Sequence, residues 1–259
     1  MSSVVEAPVA DVRARRRLRP IEIVSLAMTL VFVVLLVRDL VQLLPNLDPA
    51  KIAVDYNLYI GATQRFIDGG YYYLPSQLQG PYAADPGVIL YPPTFILVMA
   101  PFLVLPWWTY WLLPLVAVLY AAWRHRPSVR AWPYIAICCW FPGTIVNIVA
   151  GNPSILFAGA LAMGTIWYWP AVLGFLKPSL LPFAFFGVWT RAWWIGLGVL
   201  VVVSLPFGWL WRDYLQVVLD ARHPLGLLYN LGQVPLMLIP IAIWAGRTRG
   251  RGDRVPSGT

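Results

Sequence analysis

"PAVLGFLKPSLLPFAFFGVWT", residues 170–190, decides how this chain is folded. A helix needs about 20 residues to cross a bilayer, so at first sight the stretch is one span. Its flanks say otherwise. Basic clusters at Arg124, Arg126 and Arg130, and again at Arg191, belong on the cytoplasmic side by the positive-inside rule. Between them the chain goes out through 131–150 and returns through 154–169. Residues 170–190 must therefore begin and end inside, yet they are too few to cross twice. A hairpin broken at Lys177-Pro178 meets both conditions. Backbone that is not helical at membrane depth is tolerated where it is buried in protein or lines a cavity.

The rest of the sequence supports a membrane reading. Of 259 residues, 59% are hydrophobic and only 12% charged, where a soluble domain averages about 25% charged. Mean hydropathy is +0.68. The net charge of +8 is gathered in short runs beside apolar stretches, which sets orientation in a bilayer and argues against nucleic acid as a partner. Cys138 and Cys139 are adjacent in an apolar run and read as core residues. There is no phosphate-binding glycine loop, no dinucleotide fingerprint, no HExxH and no Cys/His cluster. No cofactor is expected, and nothing supports a divalent cation.

Residues 1–20, with "RARRRLRP", form a cytoplasmic tail, and the run from Ile21 to Leu44 is an uncleaved first span. Residues 21–246 make one all-α, polytopic integral membrane domain of about 8 membrane segments, followed by a basic cytoplasmic tail at 247–259. A full crossing by both 88–105 and 107–123 would put Arg124 to Arg130 outside. "YPPTFILVMAPFLVLP" is therefore expected to re-enter or lie along the surface, helped by its prolines. This leaves an outer loop at 45–106 and a second at 211–230, with both termini on the cytoplasmic side of a plasma membrane.

Polar chemistry should then lie on the outer face. "VDYNLYIGATQRFIDGGYYYLP", residues 54–75, reads as an outer-face helix from about Val54 to Asp68, stopped by Gly69-Gly70. At 100° per residue, Asn57, Gly61, Gln64, Arg65 and Asp68 share the wet side. Asp55 falls on the other side with Tyr59, Ala62 and Phe66. It is either the helix N-cap or a buried carboxylate suited to general-base work. Tyr71 to Tyr73 form an interfacial aromatic belt or a platform for a sugar ring. Lys177 is a snorkelling lysine or a holder for an anion such as a lipid phosphate. Arg222 and His223 are surface residues of the second outer loop or phosphate and acceptor contacts, and Asn152 is a helix cap or a site residue.

The order of "DYNLYIGATQRFIDGGYYYLP", "YPPT" (91–94), "GNPS" (151–154) and "LKPSLLPF" (176–183) resembles the GT-C glycosyltransferases. The resemblance is strongest to glycosyltransferase family 87, the mannosyltransferase-like enzymes that use polyprenyl-phosphate sugars, and runs from Val54 to Phe207. It implies a GT-C-like helical bundle in which Asp55 is the base and Tyr91-Pro92-Pro93 builds the helix beside the site. Lys177 would then lie near the donor phosphate, with Tyr59, Tyr91, Asn152, Arg222 and His223 as substrate contacts. The reaction implied is transfer of a hexose, mannose above all, from polyprenyl phosphate to an envelope lipid or glycan, with inversion.

The chain would be a shortened member, which leaves room for a protein partner. The family's Gly-Gln-x-Asn stands here as "GNPS". A non-catalytic relative that binds a lipid-linked sugar or scaffolds an envelope complex is the alternative. A transporter or flippase is a third reading, against which stands the lack of paired inverted halves.

Overall fold

The computed structural model describes residues 18–83, 88–222 and 231–248. It is about 78% helical, with eleven α-helices among the described residues. Helix α1 (Pro20–Leu43) opens with proline at its first position, and the Glu22 carboxylate accepts from the Arg19 N–H at 2.9 Å. Of its 24 residues only Ser25 is buried, so its apolar side chains face outward. Near its end the Asp39 carboxylate is held by the Arg38 guanidinium at 2.7 Å and by the Trp140 indole N–H at 2.8 Å.

Helix α2 (Val54–Gly69) ends where Gly70 takes a left-handed φ of 77° and donates to the Phe66 carbonyl. Then come α3 (Phe95–Met99) and a 3-10 turn (Ala100–Leu103), both packed against α2. Helix α4 (Thr109–His125) carries Pro114 inside it. The stretch 131–150 is not straight: α5 (Trp132–Trp140) and α6 (Pro142–Ala150) meet at 58°. Pro142 removes the backbone donor that would have continued the helix. Helix α7 (Ser154–Trp167) is the centre of the bundle, lined by α4 and by α11 (Val234–Ala245).

Residues 169–184 make a hairpin of short helices. One arm is a 3-10 helix (Trp169–Leu176); the other is a 3-10 turn (Pro178–Leu180) running into α8 (Leu181–Ala184). Lys177 is the extended residue at the tip. The arms touch at Gly174, where an added Cβ would meet Ala184 at 3.0 Å. The base closes where Gly187 packs on Tyr168. Helix α9 (Arg191–Ser204) continues through a 3-10 turn at Pro206 into α10 (Gly208–Asp220). Residues 211–220, read from sequence as loop, are thus helical. Leu210, Tyr214 and Val217 recur at helical spacing and are all buried, which gives the segment a packing face.

Among the described residues two helices are long and apolar enough to cross a membrane, Pro20–Asn46 and Arg191–Asp220, and the bent α5–α6 pair makes a third if taken as one. The other apolar helices are shorter, and α4 and α11 each carry a proline within a continuous helix.

Helix α4 also fixes two ends of the molecule. At its start the Tyr110 hydroxyl donates to the Gly151 carbonyl and the Trp111 indole to that of Ile148. At its finish lie Arg124 and His125, and the His125 ring is 2.9 Å from the Thr165 hydroxyl near the end of α7. Thr248 reaches back to the Arg126 carbonyl, and the Ser128 N–H donates to that of Gly246. The 17 residues of α4 set these ends about 25 Å apart.

Candidate functional site

The first turn of α2 is pinned to the turn between α6 and α7. Ala53, in left-handed conformation with φ 57°, is the N-cap, and its N–H donates to the Val149 carbonyl at 2.9 Å. Asp55 is therefore the second helical residue and makes no capping bond; its carboxylate faces the neighbouring turn. That turn depends on Gly151, whose φ of 67° suits glycine. A Cβ there would lie 2.8 Å from the Tyr56 Cβ and 2.9 Å from the Trp111 ring. Glycine thus lets α2 come close enough for Asp55 to meet Asn152.

The Asn152 amide joins three elements. Its nitrogen donates to Asp55 Oδ2 at 2.7 Å. Its oxygen accepts from Lys177 Nζ at 3.0 Å, from the Ser154 N–H at 3.0 Å and from the Ser154 hydroxyl at 2.8 Å. Lysine ammonium and backbone N–H can only donate, so the amide must turn its oxygen toward them and its NH2 toward the carboxylate. The hairpin tip, the α6–α7 turn and α2 thereby meet in one charged chain, Asp55–Asn152–Lys177. Lys177 is 6% exposed, with its ammonium 5.1 Å from the centre of the Tyr91 ring.

Burial lifts the Asp55 carboxyl above the usual carboxylate range, while the Asn152 hydrogen bond and the Lys177 charge pull the other way. Asp55 is half-buried, and its Oδ1 has no hydrogen bond among the described residues. One carboxylate oxygen is thus fixed and the other is free to take a proton. Among the described residues no three His, Cys, Asp or Glu side chains come together.

The other residues expected at the site lie at differing distances from this chain. Tyr59 and Tyr91 are buried. Their rings meet edge-on at 4.8 Å, and Tyr91 stacks on Phe95 and Phe157. They form a buried aromatic wall beside the ammonium. The Tyr73 hydroxyl donates to the Tyr91 carbonyl, and of the tyrosine triplet only Tyr71 is exposed. Arg222 donates to the Leu219 carbonyl, and its strand pair (Ala221–Arg222) runs parallel to Tyr82–Ala83. That pairing brings the two expected outer loops together but leaves Arg222 off the Asp55 chain. His223 lies outside the described residues.

Sequence reading missed Ser154, Tyr110 and Trp111. Ser154 stands two residues after Asn152 in "GNPS", so a polar pair in an apolar run was the available signal. Nothing local marks Tyr110 or Trp111 as partners of a turn some 40 residues away. No protein-family model, curated protein or solved structure matches the chain. The case for a function therefore lies in the geometry of this cluster and in the motif order of the sequence.

Proposed function

We propose that the chain is a membrane glycosyltransferase that moves a hexose from a polyprenyl-phosphate donor to an acceptor hydroxyl at the outer face of the plasma membrane. The observation that carries this reading is the Asp55–Asn152–Lys177 chain. It sets a carboxylate with one free oxygen beside a buried ammonium, through a single amide. In the reaction Asp55 takes the proton of the acceptor hydroxyl through Oδ1, and the acceptor oxygen attacks the anomeric carbon. The bond from that carbon to the phosphate oxygen breaks, the configuration inverts, and polyprenyl phosphate leaves. Lys177 offers its positive charge to the departing phosphate, and Asn152 holds base and cation at fixed separation. The GT-C-like bundle of about eight segments expected from sequence belongs to this proposal.

The distribution of charge supports the orientation. Arg124, Arg126, Arg130 and Arg247 gather at the far end of α4 from Asp55. With that end cytoplasmic, Asp55 is outside. The hairpin tip then reaches from the inner side toward the outer cluster, as its two ends require.

Membranes carrying wild-type chain or Asp55→Asn are compared with a labelled polyprenyl-phosphate hexose and an acceptor lipid fraction. Asn at 55 can still accept from Asn152 but cannot take a proton, so transfer should fall about 10²–10⁴-fold with unchanged protein level. Transfer at the wild-type rate would sink the assignment. The full set of bonds on Asn152 favours one other reading, a non-catalytic relative in which the chain only pins α2 to the bundle. In that case wild-type membranes show no transfer above background.

A further inference from the structure

We propose a second, separate site: a groove between α5 and α11 that holds an anionic glycerophospholipid, its acyl chain in the groove and its phosphate at Ser128 and Arg130. The groove is open to its surroundings and offers about 620 Å³, within the roughly 300–1,000 Å³ of small-ligand sites. Its walls are Ile137 and Cys138 on one side and Leu238 and Ile241 on the other, and Ser128 and Arg130 stand at one end only. At that end the chain is tightly packed: an added Cβ on Gly246, just past α11, would collide with that of Ala131, just before α5. One wet, basic end and one long apolar body is the complement of a single amphiphile.

Charge decides which amphiphile. Arg130, Arg124 and Arg126 are exposed at this end of the bundle. The Arg247 guanidinium sits over the Trp244 ring, 4.3 Å from its centre, and donates one N–H to the Trp244 carbonyl. Among the described residues none of these four guanidinium groups has a carboxylate partner, and the Ser128 hydroxyl makes no hydrogen bond. Basic pockets between membrane helices on the cytoplasmic side suit anionic headgroups, whereas a zwitterionic lipid brings its own cation and gains little. The site rests on the membrane reading of the chain and is independent of sugar transfer, because it lies at the opposite end of α4 from Asp55.

The full chain is purified in detergent, delipidated and mixed with equal amounts of dioleoylphosphatidylglycerol and dioleoylphosphatidylcholine. Bound lipid is then counted by native mass spectrometry. We expect the glycerol lipid to be retained several-fold over the choline lipid. Each arginine near an anionic surface contributes about 1 kcal/mol, so Arg130→Ala should cut the preference about fivefold. Ala242→Leu, which narrows the groove, should lower both lipids together, and Arg222→Ala should change neither. Arg130 is exposed, so its variant tests the site even if Ala242→Leu does not fold. Equal retention of the two lipids by the wild type, or an unchanged preference in Arg130→Ala, would overturn the proposal.

Discussion

Consider removal of the Asn152 side chain. Asn152→Ala leaves Lys177, 6% exposed, without its side-chain acceptor, and strips Asp55 Oδ2 of its donor. Hydrogen bonds to charged groups contribute about 1.5–3 kcal/mol each, and the half-buried carboxylate recovers part of its share from water. The expected loss is about 3–5 kcal/mol, as found when one partner of a buried charge pair is deleted. Lys177→Met behaves differently, because it removes the buried charge and keeps the volume. Asn152 still accepts from Ser154 and still holds Asp55, so the cost should stay below about 1.5 kcal/mol. In that background Asn152→Ala no longer orphans an ammonium and should cost only about 1–2 kcal/mol. The coupling between the two sites is then roughly 2–3 kcal/mol. At about 2–4 °C per kcal/mol, the single variant should melt about 6–20 °C lower, and the double variant should recover several degrees. Tryptophan fluorescence of the detergent-solubilised protein follows the melt. Equal losses in both backgrounds would show that Asn152 does not stand between the two charges.

Three further outcomes are expected from the same geometry. Asp55 has its carboxyl raised by burial, so transfer should rise with pH along an acid limb displaced above that of a free carboxylate. A limb in the ordinary carboxylate range would contradict it. The sign for stability is opposite: the folded state binds the proton more tightly, so Asp55's contribution is complete below its unfolded pKa and is lost as pH rises through the folded one. Gly151→Ala meets both the left-handed φ and the Tyr56 and Trp111 contacts, and should cost about 2–4 kcal/mol in the same melting assay. Trp140→Phe leaves Asp39 with Arg38 alone. It should loosen α1, read as faster proteolysis near residue 46, while the melting of the remaining bundle shifts by less than about 1 kcal/mol.

Part of this was legible from local chemistry. Gly69-Gly70 stops α2 because only glycine takes the left-handed turn freely, and the break at Lys177-Pro178 comes from a missing donor beside a charge. The face of Asp55 came from periodicity alone. What could not be read is its partner: Asp55 and Asn152 are 97 residues apart, and no local pattern encodes a bridge of that length. The capping reading of Asp55 failed because Ala53 adopts a conformation rare for alanine and takes the cap position itself. The bend at Pro142 was available in the sequence, and hydrophobic continuity through 131–150 concealed it. Residues 211–220 look loop-like for their charges, yet the spacing of Leu210, Tyr214 and Val217 shows a helix with one apolar stripe.

The place of α11 has a consequence for how the protein is made. Helix α7 buries Phe157, Leu161 and Ala162, and α11, with Met237 and Ile243 buried, packs against it as one of its walls. Roughly 70 residues separate the end of α7 from the start of α11. At about 5–20 residues per second, α7 leaves the ribosome some 3–14 s before that wall exists. During this interval its inner face lacks that cover. Helix α1 meets no such delay, since it shows its apolar surface outward from the start and contributes only Ser25 to the interior. Biogenesis therefore has a natural late checkpoint: a chain stopped before Val234 holds Asp55, Asn152 and Lys177 but not the wall behind α7. A quality-control protease would find it open at the core.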